Sequence, residues 1–128
     1  MPRYLSLLAF FVAASARAWL HFSTPMVQGM NGAYYLVQAR SLIEKFSLAI
    51  PDLPLVFVIQ AAIAKVIHLL SSLDLNQAVM LAVKTVDSVL PALAVFPIMQ
   101  LGNMWSKGDK VDLAIITLAA VLVPAGAP

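Results

Sequence analysis

Cysteine is absent from this chain, which excludes disulfides, zinc–thiolate centres and thiol nucleophiles. Charge is scarce as well. Eight basic and six acidic residues make up 11% of the 128 positions, less than half the usual share in soluble domains. So few charges cannot keep the surface of a small domain wet, which argues against a soluble globular fold. The net charge of +2 is too small and too dispersed for a nucleic-acid-binding surface. HExxH, Walker and G-x-S-x-G patterns are missing, as are internal repeats and strand-like alternation. His21 and His68 do not stand at a metal-binding helical spacing, so no metal ligand set is assigned. What the chain does contain is hydrocarbon. Hydrophobic residues are 62% of it, which also argues against disorder. The expectation is a single all-α membrane domain over 1–128.

The first apolar stretch, 4–22, has the length of a bilayer span. Two readings fit it. Trp19, His21 and Phe22 suit the interfacial end of a retained helix. Arg3, the run 5–14 and Ala16-Arg17-Ala18 also follow the order of a cleavable signal peptide. Residues 23–33 read as a loop punctuated by Pro25, Gly29, Asn31 and Gly32. At 34–46, Tyr35, Leu36, Ala39, Leu42, Ile43 and Phe46 share one arc, with Gln38, Arg40, Ser41, Glu44 and Lys45 outside it. Thirteen residues cannot cross a bilayer, so this segment is expected to lie in the interface. After Pro51-Asp52-Leu53-Pro54, the run 55–70 is apolar but short, and Gln60, Ala64, Lys65, His68 and Ser71 form a polar stripe. It too reads as interfacial.

Residues 73–77 read as a polar break, 78–101 as a span containing Pro91 and Pro97, 102–110 as a polar loop, and 111–128 as a truncated span. If 55–70 stays out of the hydrocarbon, Arg3, Lys107 and Lys110 fall on one side, which the positive-inside rule makes cytoplasmic. The resulting topology has about three spans, at 4–22, 78–101 and 111–128. A long external segment, 23–77, carries the two interfacial helices. The expected location is the cell membrane, multi-pass.

That external segment holds the candidate chemistry. Arg40 is suited to clamp a phosphate bidentately, but stands four residues from Glu44 and is equally suited to pair with it or with lipid headgroups. Tyr34 and Tyr35 can stack on a ligand or anchor a helix at the interface. Asp52, between prolines, has the setting of a turn residue. Lys84 and Asp87 are charges within an apolar segment, which marks either a functional site or a local ion pair that eases insertion.

The order of these elements resembles the N-terminal part of the C-type membrane glycosyltransferases, the superfamily of mannosyl-, arabinosyl- and oligosaccharyltransferases. The resemblance is carried by the opening span and then by Asn31-Gly32-Ala33-Tyr34-Tyr35, at the place of an acidic-Gly/Glu-x-Tyr-Tyr element. It continues through Ala39-Arg40-Ser41-Leu42, the Pro51 to Leu55 entry into an apolar helix, and Leu90-Pro91-Ala92-Leu93 in a later span. It implies an enzyme that transfers a hexose or pentose from a polyprenyl phosphate at the outer face, with an acidic residue of the first external loop serving catalysis as base or as metal ligand, depending on the branch. At that position stands Asn31, a carboxamide that does not take a proton at neutral pH. The carboxylates next along the chain are Glu44 and Asp52.

On this resemblance the catalytic candidates are Asn31 and Asp52, and the donor-binding candidates are Tyr34, Tyr35 and Arg40. No cofactor is assigned. The implied partners are membrane lipid, a polyprenyl-phosphate-linked sugar and other membrane subunits, with no nucleic acid. Family members have more spans, so this stretch reads as a fragment, a truncated product or a degenerate relative, whose activity alone is left open. The competing reading is a small non-enzymatic multi-pass subunit or scaffold, whose alanine-rich spans pack closely against a partner. A transporter or channel fragment is a third.

Overall fold

A computed structural model describes residues 3–25, 32–52, 54–106 and 110–126. These residues form six helices: α1 (Arg3–Phe22), α2 (Gly32–Lys45), α3 (Leu55–Leu70), α4 (Leu75–Ala92), α5 (Val95–Ser106) and α6 (Lys110–Gly126). Among them no strand occurs. Two helical runs are long and apolar enough to cross a membrane, Tyr4–Phe22 and Leu75–Trp105. The chain packs as two units, one of Met1–Leu20 with Asp87–Pro128 and one of His21–Val86.

Several boundaries differ from the sequence expectation. Residues 73–77 are not a simple break, because Asp74 and Gln77 start α4 with a reciprocal cap. The Gln77 N–H donates to Asp74 Oδ1 at 2.7 Å, and the Asp74 N–H donates to Gln77 Oε1 at 3.2 Å. The run 78–101 is likewise not one unbroken helix. Proline has no N–H, so Pro97 leaves the Leu93 carbonyl without its usual donor. The Phe96 N–H takes that carbonyl at 3.2 Å, the Ala94 N–H goes to Pro91, and the helix turns at 93–94. Of the expected loop 102–110, residues 102–106 extend α5, with Trp105 89% exposed, and residues 107–109 lie outside the described residues. Of the segment 111–128, residues 127–128 lie outside the described residues and 111–126 lie in a helix, α6. Its apolar part, Ala114–Val123, reaches only about 15 Å, half of a bilayer core of roughly 30 Å.

The first unit is held by small residues. Ala9 and Ala13 of α1, Ala92 of α4, Val95 and Met99 of α5 and Ala120 of α6 form its buried core, with Phe10, Ile98 and Ile116 packed around them. Alanines at such contacts let helix backbones approach closely, which is how helices associate where lipid is as apolar as their own side chains. Phe10 stacks on Phe96 with ring centroids 5.4 Å apart.

Arg17 is buried on α1, and its Nε donates to the Asp87 carbonyl at 3.0 Å. That carbonyl is the one Pro91 would have bonded had it possessed an N–H, so the arginine occupies an acceptor the proline vacates. The two residues should therefore be energetically coupled. Arg17→Leu is expected to destabilise the protein, and by about 1–2 kcal/mol less when Pro91→Ala restores the helical donor. Unfolding of the four proteins of this cycle in detergent measures the difference, and strictly additive losses would refute the coupling.

The second unit packs α2, α3 and the first part of α4 around Ala39, Ala64, Val79, Ala82 and Val83. The connector after α2 begins at Phe46, whose φ of 56° is the left-handed turn that ends the helix; its N–H closes on the Leu42 carbonyl at 3.2 Å. The chain then runs back along α2. Ser41 Oγ donates to the Ser47 carbonyl at 2.8 Å. Gln38 Nε2 donates to the Ile50 carbonyl at 2.7 Å, while its Oε1 accepts the Ile50 N–H at 3.0 Å. The Tyr34 hydroxyl donates to Asp52 at 2.6 Å. Tyr34, Gln38 and Ser41 stand at helical spacings of four and three, so one polar stripe of α2 clamps the returning connector. That stripe corrects the expectation that Gln38 and Ser41 lie on the outer face: Gln38 is fully buried and Ser41 nearly so. Phe46, expected on the apolar arc, is 83% exposed because it lies past the helix end.

Because the connector retraces α2, α3 starts beside the beginning of α2 and runs in the same direction. Phe57 near the start of α3 meets Tyr34 and Tyr35, and Lys65 farther along meets Phe46. The polar stripe read on 55–70 is divided in this packing. Gln60 and Ala64 are buried, whereas Lys65, His68 and Ser71 are exposed.

Candidate functional site

The doubled-back connector brings two of the candidate ligand-binding residues to one candidate acid. Asp52 is exposed and accepts the Tyr34 hydroxyl proton, and Gln38 Nε2 donates to the same hydroxyl at 2.9 Å. Tyr34, Tyr35 and Phe57 form an aromatic trio, every pair of ring centroids lying within 5.9 Å. Tyr34 meets both neighbours edge to face, the arrangement favoured by the ring quadrupoles. Phe57 is buried, while Tyr34 and Tyr35 are partly exposed. The result is an acid fixed at the rim of an aromatic patch.

The hydrogen bond to Asp52 raises the Tyr34 phenol above its ordinary 10.0; desolvation adds to this, and the Gln38 donor partly opposes it. The protonated phenol is the form that donates. The stabilisation it supplies is thus fully present below pH 10 and is lost as the pH climbs through the raised value. An ultraviolet titration of the native chain against Tyr34→Phe is expected to show this phenol ionising above pH 10, with Asp52→Asn bringing it back down. An unchanged value in Asp52→Asn would mean that the carboxylate is not the cause.

Arg40 does not join this group. It lies about 120° round α2 from the Tyr34 stripe. Its Nε donates to Glu44 at 2.8 Å and its Nη1 to Asn76 at 2.7 Å, so it ties α2 to the start of α4. Both members of the ion pair are well exposed, and such a pair adds roughly 0–1 kcal/mol. Asn31 lies outside the described residues.

Lys84 is buried, donates to the Thr24 carbonyl at 2.6 Å and sits 5.7 Å from the centroid of the Phe22 ring. It therefore fastens α4 to the chain leaving α1. Among the described residues no three His, Asp or Glu side chains gather as a metal-ligand group.

Sequence reasoning did not anticipate Gln38, Ser41 or Phe57. For the first two a signal existed, a Tyr-Gln-Ser stripe facing a proline-bounded connector. For Phe57 there was none, since its partners depend on the connector's direction. No family model, curated protein or solved structure matches this chain.

Proposed function

We propose that this chain is the membrane-embedded N-terminal portion of a glycosyltransferase-like protein, which holds a sugar on a polyprenyl phosphate at the outer face and transfers it. Two full spans and a truncated third carry it. α1 runs outward, the stretch from about Thr85 to Trp105 runs inward, and α6 enters the bilayer outward again, its apolar part covering about half the depth. Lys84 supports the outer boundary, because its ammonium is bound at the end of α1. From there to Trp105 about 21 residues remain, or roughly 31 Å, against a hydrocarbon core of about 30 Å. The tight approach of Gly102 to Ile116 supports α6 lying alongside α5 at the same depth. The segment 23–77 is external, with α2 and α3 resting on the lipid surface.

The observation that carries the sugar reading is the Asp52 carboxylate held by Tyr34 beside the aromatic trio. Aromatic rings pack against the C–H face of a sugar through dispersion. In the transfer, the oxygen of an acceptor hydroxyl bonds to the anomeric carbon and its proton goes to Asp52. The bond from that carbon to the phosphate oxygen breaks, and polyprenyl phosphate leaves with the electron pair. Asn31 is a carboxamide, so the proton acceptor is assigned to Asp52. Tyr34 orients that carboxylate, Tyr35 supplies stacking surface, and Arg40 is a structural tie.

The reading is tested with the chain in phosphatidylcholine nanodiscs and a polyprenyl-phosphate hexose as probe. Native mass spectrometry is expected to find the probe bound, with affinity falling roughly tenfold in Tyr35→Ala, the order of one aromatic contact. Arg40→Ala should bind as the native chain does. Absence of binding, or equal binding by native and Tyr35→Ala chains, would count against the sugar site.

A further inference from the structure

Beyond the Asp52 end, the second half of α2 and the middle of α3 enclose an open groove of about 270 Å³. Leu42, Ile43, Phe46, Val58 and the small Ala61 and Ala62 line it, and Lys65 is its one charged wall residue. Phe46 and Val58 at its mouth are 83% and 49% exposed. The Lys65 ammonium stands 5.9 Å from the centroid of the Phe46 ring. Among the described residues no carboxylate or carbonyl is bonded to it. On the outer face of α3, Leu55, Val58, Ala62, Val66 and Leu69 are all exposed, at the three- and four-residue steps of one helical stripe.

We propose that this groove holds one acyl chain of an anionic phospholipid, whose phosphate is met by Lys65. The occupant follows from charge and setting together. An exposed apolar stripe continuous with the groove suits a helix in contact with bilayer hydrocarbon, so the chain that fills it comes from the membrane. Entering the groove from a bilayer gains that chain little, because lipid tails are as apolar as the walls. Selection therefore rests on the headgroup. Lys65, which no carboxylate among the described residues pairs at the groove's lip, favours a phosphate-bearing lipid with net negative charge over a zwitterionic one. One basic residue near the membrane surface supports a preference of about five-fold. The inference rests on the interfacial position of α2 and α3, and not on sugar transfer.

The test places a reporter at the mouth. Phe46→Trp is made in a background of Trp19→Phe and Trp105→Phe, and the protein is put into phosphatidylcholine nanodiscs. Increasing fractions of phosphatidylglycerol or phosphatidylcholine with brominated acyl chains are then added. Brominated phosphatidylglycerol is expected to half-quench the tryptophan at about one-fifth of the mole fraction that brominated phosphatidylcholine requires. Lys65→Gln should make the two lipids equivalent, and Lys65→Arg should keep the preference. Equal quenching by both lipids in the native-lysine protein would overturn the headgroup site while leaving α3 on the membrane. No quenching by either would overturn it together with the interfacial position.

Discussion

On the proposed function, Asp52→Asn is expected to reduce sugar transfer by about 10²–10⁴-fold, the usual contribution of a positioned general base, and to leave the helices intact. The substitution is close to isosteric, and its amide oxygen can still accept the Tyr34 hydroxyl, so the connector stays clamped to α2 by Gln38 and Ser41. What disappears is the capacity to take the acceptor's proton. Tyr34→Phe tests the same geometry from the other side. It keeps the base and removes its orienting donor, so a smaller loss, about tenfold, is expected. Transfer from a labelled polyprenyl-phosphate sugar in membranes, scored beside binding of the same lipid, separates chemistry from affinity. Undiminished transfer in Asp52→Asn would remove this carboxylate from the reaction.

The largest structural effect is expected at Gly102. A Cβ built there falls 2.3 Å from Ile116 Cγ2 and 2.8 Å from its Cδ1, so the side chain of α6 occupies the space a larger residue would need. Two effects compete. Replacing a mid-helix glycine by alanine adds about 1 kcal/mol of helix propensity. Against this, overpacking costs roughly 1–3 kcal/mol, and Ile116 is β-branched with little rotamer freedom to yield. For Gly102→Ala the two nearly offset. For Gly102→Leu the clash wins, and a loss of about 3 kcal/mol or more is expected in detergent unfolding. Truncating the obstacle should return much of it, so Gly102→Leu with Ile116→Ala is expected to be more stable than Gly102→Leu alone. If the double variant is no better, the close approach of α5 to α6 is not the reason.

Where prolines or sharp composition changes punctuate the chain, the elements were legible in sequence. α1 and α3 coincide with the apolar runs 4–22 and 55–70 to within a residue, since Pro54 closes the approach to α3. The pairing of Arg40 with Glu44 was legible only as one of the alternatives open to Arg40, because four-residue spacing permits it. The break at 93–94 was half visible. Both prolines stood out, but their effect depended on which carbonyls found other donors. Least visible was the direction of the connector. On a helical wheel Gln38 and Ser41 look like solvent residues, and only a strand of backbone laid against them turns them inward. For the same reason Tyr34, Tyr35 and Asp52 came together while Arg40, in the same helix, did not.

The direction of that connector also has an electrical consequence. Joined by a short turn, two neighbouring helices lie antiparallel and their peptide dipoles largely cancel. In α2 and α3 the dipoles point the same way and add, each leaving roughly half a unit of positive charge at its first turn. Those first turns, at Gly32 and Leu55, lie at the end that carries Tyr34 and Asp52. The two half-charges together offset most of the Asp52 carboxylate's charge and favour its ionised form, an effect that added salt should weaken.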